Sequence, residues 1–153
     1  MFQYVIPALI GLFTGILSWF AANFVGWSLV RFYRLRDEIH TALIRYANVS
    51  PVYERKNPSE HPDWAHYLEA HDTLRRLASE LRALASNHPV ITRLLAGFGH
   101  RPGDAASGLF GFANTFADPA ARRRGELAWN RDAIERALKF PLTYPEGVKV
   151  RDD

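Results

Sequence analysis

The sequence predicts an all-α protein: one N-terminal transmembrane helix that continues into a small cytoplasmic helical bundle. Three observations carry this. The stretch Tyr4 to Val30 holds no charged side chain. Beyond it, apolar residues recur every three or four positions in successive segments, the period of one helix face. Proline, alone or after Ser or Asp, marks the places where those segments start and stop. The expected division is a membrane anchor over 1–30, a helical domain over 31–142 and a tail over 143–153.

The first element, YVIPALIGLFTGILSWFAANFVGWSLV, would extend roughly 40 Å as a helix, against a hydrocarbon core of about 30 Å. A cleaved signal peptide wants a basic leader and a shorter apolar core, about 7–15 residues long. Met1-Phe2-Gln3 supplies no charged side chain, so the run reads as a retained span. No Arg or Lys precedes it, whereas Arg31, Arg34, Arg36 and Arg45 follow closely. The excess of positive charge on that side places the C-terminal domain in the cytoplasm and the N-terminus outside. Tyr4 and Trp27 stand near the two ends as interface anchors, joined on the cytoplasmic side by Arg31 and Arg34. Ala8, Gly11, Gly15, Ser18, Ala22 and Gly26 follow one helical face, and small residues at such spacing let a second helix approach closely. The plainer reading is that Gly and Ala are simply common in membrane helices. Asn23 is the one strongly polar side chain, suited to the interface or to a bond across to a partner. With no His, Asp, Glu, Lys or Arg, the span offers neither a proton relay nor a haem ligand.

Leu29 to Val49 continues without a breaker. Phe32, Leu35, Ile39, Leu43 and Tyr46 share a face, so the membrane helix is expected to run on as a stalk until Ser50-Pro51 stops it. Val52 to Pro62 is a polar linker. Asp63 can cap the next helix, in which Tyr67, Ala70, Leu74, Leu77, Leu81 and Leu84 alternate at three and four residues until Asn87-His88-Pro89. Val90 to Phe98 is a short apolar helix closed by Gly97 and Gly99. Asp104 then caps a glycine-bearing segment, AASGLFGFANTF. Its glycines disfavour helix by about 1 kcal/mol each relative to alanine, yet permit close packing; with several Phe and no basic residue it also suits the membrane interface. Asp118-Pro119 starts a last helix that is expected to run to about Phe140, with Leu127, Ile134 and Leu138 on one face.

Composition limits the chemistry. The 153 residues include no Cys, which excludes disulfides, thiolate metal sites and Cys nucleophiles. A net charge of +3 is mild for a nucleic-acid binder, and none is expected as a partner. The basic residues are nearly all Arg, with Lys only at 56, 139 and 149, a composition suggestive of a bacterial genome of high GC content. His61, His66 and His71 are spaced by five, which separates them around a helix, whereas a helical metal pair wants three or four. Glycine-rich phosphate loops with their Lys, nucleophile elbows and paired carboxylates in apolar surroundings are all missing. No catalytic residue, cofactor or metal is expected. Arg122, Arg123 and Arg124 form the sharpest charge run. They fit anionic lipid or an acidic partner face, or simply a solvated turn offset by Glu126.

The stretches RLRDEIHTALIRYANV, LRRLASELRAL and GLFGFANTF resemble a pattern in small bacterial membrane-anchored helical proteins with one N-terminal span. The resemblance covers most of the chain. It implies a bacterial, membrane-anchored, helical protein and attaches no activity. The expected role is that of an accessory or assembly subunit of a membrane protein complex, or a homo-oligomeric anchor, in contact with membrane lipids. The other reading is a tethered module that recruits a soluble partner or anionic lipid.

Overall fold

The computed structural model describes residues 2–47, 49, 64–115 and 124–141, with side chains from Val5 onward. Among these residues every regular element is a helix. The first is long and unbroken. It comprises α1 (Phe2–Phe20), a π-helical turn (Ala21–Gly26) and α2 (Trp27–Arg45). Four shorter helices follow: α3 (Trp64–Asn87), α4 (Pro89–Gly97), α5 (Pro102–Thr115) and α6 (Glu126–Leu138). The segments 50–63 and 116–123, and with them Ser50-Pro51, the polar linker, Asp63 and Asp118-Pro119, lie outside the described residues, as does the tail 143–153.

The apolar period places the core. On α2 the buried residues are Phe32, Leu35, Ile39, Leu43 and Tyr46, joined by Ala42. On α3 they are Tyr67, Ala70, Leu74, Leu77, Leu81 and Leu84, joined by Ala78. The two helices run antiparallel. At one end the Tyr46 hydroxyl donates to Glu69 at 3.0 Å, and further along Arg76 meets Glu38 at 3.7 Å.

The glycine-bearing segment is the centre of the bundle, not a membrane-interface element. In α5, Ala105, Ala106, Gly108, Leu109, Phe112, Ala113 and Thr115 are buried, and the helix packs between α3 and α6. Its glycines explain how. A Cβ on Gly108 would stand 2.9 Å from Ile134 Cγ1, and one on Gly111 would strike the Asn130 amide. Only bare backbone lets α6 come this close. Asn130, itself buried, uses the proximity to donate to Thr115 Oγ1 at 3.2 Å, and Thr115 donates to the Gly111 carbonyl.

Two boundaries depart from the sequence reading. The helix α5 begins at Pro102, whose missing N–H is harmless in a first turn, so Asp104 lies inside that turn instead of capping it. The last helix does not run unbroken to Phe140. Gly125 has φ 72°, in the left-handed region, and α6 starts only after it. At its end Lys139 takes φ 55° and Phe140 N donates to Glu135 O at 2.8 Å, a left-handed C-terminal cap with lysine where glycine is commoner.

Candidate membrane and partner surface

From Val5 to Phe24 every side chain of the first helix is exposed. Phe13, at 66% exposure, is typical. The window Val5–Arg45 contains a stretch long and apolar enough to cross a membrane, and none of that stretch is buried within the chain. The small-residue face is open as well: a Cβ on Gly11, Gly15 or Gly26 would meet nothing within 4 Å. Ala8, Gly11, Gly15 and Ser18 keep the α-helical alignment. Ala22 and Gly26 fall in the π turn, where each turn accommodates one more residue. By Gly26 the face is therefore offset by roughly 100° from its α-helical continuation.

Two polar side chains in this region bond back to the helix itself. Asn23 Nδ2 donates to the Trp19 carbonyl and Ser28 Oγ to the Phe24 carbonyl, each at 2.9 Å. Asn23 thus has one partner in its own helix, and its amide oxygen is left for water or another chain. Such side-chain bonds to the carbonyl four residues back often accompany a departure from ideal helix geometry.

Where the uncharged run ends, Trp27, Arg31 and Arg34 are exposed and border a cleft of about 330 Å³ that also includes Val30, Glu38 and Glu80. Tyr4 lies in the first turn of α1, and its side chain is outside the described residues. Of the arginine run, Arg122 and Arg123 lie outside them too, while Arg124 Nε pairs with Glu126 Oε1 at 2.7 Å. Arg76 is bound to Glu80 at 2.7 Å and Arg82 donates to Ser107 Oγ at 3.3 Å. These arginines serve contacts within the bundle.

The structure also assembles a junction that has no local signature in the sequence. Arg36 donates through Nε to the Leu138 carbonyl at 2.9 Å and through Nη2 to that of Lys139 at 3.1 Å, so it caps the carbonyl end of α6 from α2. Its guanidinium lies 4.7 Å above the Phe140 ring, and His40 stacks on the same ring. Beside it His100 is buried, edge-on to Phe32 and Tyr33. The His100 imidazole is held below its ordinary pKa near 6.5 first by burial, then by Arg36 and Lys139, with the Leu138 carbonyl acting the other way. Its Nδ1 has no hydrogen-bond partner. Arg36 and Leu138 are 102 positions apart, so only the topology brings them together.

Of the histidines weighed as metal ligands, His61 lies outside the described residues. His66 approaches Glu69 and the Tyr46 ring, and His71 approaches Asp72 at 3.2 Å. Among the described residues no group of three or more His, Asp or Glu could hold an ion. No family model, curated protein or solved structure matches the chain.

Proposed function

We propose that this chain is a single-span protein of the bacterial inner membrane and acts there as a non-catalytic accessory or assembly subunit of a larger membrane protein complex. Its N-terminus faces outward, its bundle lies in the cytoplasm, and its contacts run through the small-residue face of α1. One observation carries the reading. The chain packs an apolar core in its C-terminal bundle, yet among the described residues none covers the apolar α1 with Gly11 and Gly15. Apolar surface of that extent needs lipid or another helix. The exposed Arg31 and Arg34 support the orientation.

The test is a gentle solubilisation of the source membrane, capture of this chain, and mass spectrometry of what accompanies it. A defined membrane complex at fixed ratio, lost on Gly11→Leu or Gly15→Leu, is the expected outcome. Recovery of the chain alone, or capture unaffected by both substitutions, would sink the reading.

A further inference from the structure

The end of the bundle nearest α1 carries a second apolar surface, on α4. Its position follows from register. Going back from Glu38 to Trp27 on α2, and on from Arg76 to Asn87 on α3, covers the same rise of about 16 Å. The Glu38–Arg76 contact aligns those two stretches. The last turn of α3 therefore reaches the level of Trp27, where the uncharged run ends. The chain then turns into α4, whose first turn is bonded to α3 by Thr92 Oγ1 donating to the Ala85 carbonyl at 3.1 Å. Just past the end of α4, His100 packs against Phe32 and Tyr33. Val25 and Leu29, inside the uncharged run, already pack against the same core. Hence α4 crosses the end of the bundle from which the candidate span departs.

The helix is apolar over more of its circumference than the core covers. Ile91 and Leu95 are buried, but Val90, Leu94 and Phe98 stand out at 69%, 39% and 61% exposure. At about 100° per residue these three fall within a quarter-turn that adjoins the buried pair, and Arg93 lies on the flank of the ridge away from the core. Trp27 and Val30 are exposed at the same level on α2. An apolar ridge flanked by arginine, held beside an emerging span, has the design of an interfacial helix. Its Phe and Leu fit the boundary between headgroups and acyl chains, and Arg93, Arg31 and Arg34 can reach anionic headgroups.

We propose that α4 is a membrane foot: Val90, Leu94 and Phe98 insert into the cytoplasmic-leaflet interface beside the span and hold the bundle against the bilayer. The proposal rests on α1 being a membrane span. The occupant is lipid, because the surface continues from the lipid-exposed helix and sits at its exit level.

The absence of cysteine makes the test clean. The full chain is reconstituted in vesicles of phosphatidylcholine and phosphatidylglycerol as four single-cysteine variants, each labelled with an environment-sensitive fluorophore: Leu94→Cys, Phe98→Cys, Phe13→Cys and Ala65→Cys. Ala65 is exposed at the far end of α3. Labels at 94 and 98 are expected to emit to the blue, to be quenched by lipids brominated near the headgroup end of the acyl chain, and to resist aqueous iodide. The label at 13 should respond to deep bromines and that at 65 to iodide alone. Iodide quenching at 94 and 98 with the label at 13 still lipid-buried overturns the foot and leaves the span intact. Iodide quenching at 13 as well overturns both. Shielding at 94 and 98 without lipid quenching means that protein covers the ridge, and this too overturns the proposal.

Discussion

Residues 5–24 and 32–45 belong to one continuous helix, yet they are built on opposite rules. In the first, apolar residues occupy the whole circumference and all are exposed; in the second, Phe32, Leu35, Ile39, Ala42 and Leu43 form one buried face, while Tyr33, Arg34, Asp37, Glu38, Ile44 and Arg45 are exposed on the other sides. The contrast teaches that hydrophobicity alone does not say where a helical residue goes. A stripe specifies a neighbouring helix, whereas a full apolar circumference specifies an apolar surrounding. Phe13 and Phe32 have the same side chain and nearly opposite surroundings, at 66% and 0% exposure.

Substitutions that pair the two regions sharpen this contrast. The largest difference is expected for those phenylalanines. Phe32→Ala should destabilise the bundle by about 3–5 kcal/mol, since it removes a fully buried ring and leaves a cavity. Phe13→Ala should leave bundle stability unchanged. Denaturant unfolding in mild detergent, followed by tryptophan fluorescence, measures both; equal losses would show that α1 is part of the folded core. A smaller difference is expected between glycines. Gly108→Ala places a methyl against Ile134 and should cost about 1–3 kcal/mol. Gly15→Ala meets nothing within 4 Å of the chain and should be silent in the same measurement.

The smallest effect concerns pH. The His100 pKa is lowered in the folded state, so the neutral ring is the form the fold favours. Its contribution is fully present above the unfolded value near 6.5 and is lost as pH falls toward and through the lower folded pKa. The thermal midpoint of the bundle should therefore decline as pH drops below about 6.5. His100→Gln, which keeps a donor for the Leu138 carbonyl, should flatten that decline. An unchanged slope would assign the acid sensitivity elsewhere.

What could be read in advance follows the range of the forces involved. The faces of α2 and α3 were legible because a 3.6-residue period is local, and every apolar position expected on those faces is buried. The break at Gly125 was not, because a glycine within a helical pattern is tolerated until tertiary contacts select a left-handed conformation. The role of α5 was read two ways: its glycines weaken a solitary helix and gain their purpose only when Ile134 and Asn130 arrive from α6. The Arg36–Leu138 contact is invisible locally. The small-residue face is legible as a pattern, and the structure adds that none of the described residues covers it. The π turn that swings Gly26 out of line has no marker in AANFVG.

That π turn also separates two bearings. Were the rod α-helical from Phe2 to Arg45, the azimuth of Gly11 and Gly15 would dictate the direction in which the Phe32 and Ile39 face points the bundle. With a turn of different pitch between them, the heading of the bundle about the axis of α1 is set by the six residues Ala21–Gly26. A partner gripping α1 would thus steer the bundle through this short collar, and a single-residue deletion there would swing the domain to a new compass point while both gripping faces stay as they are.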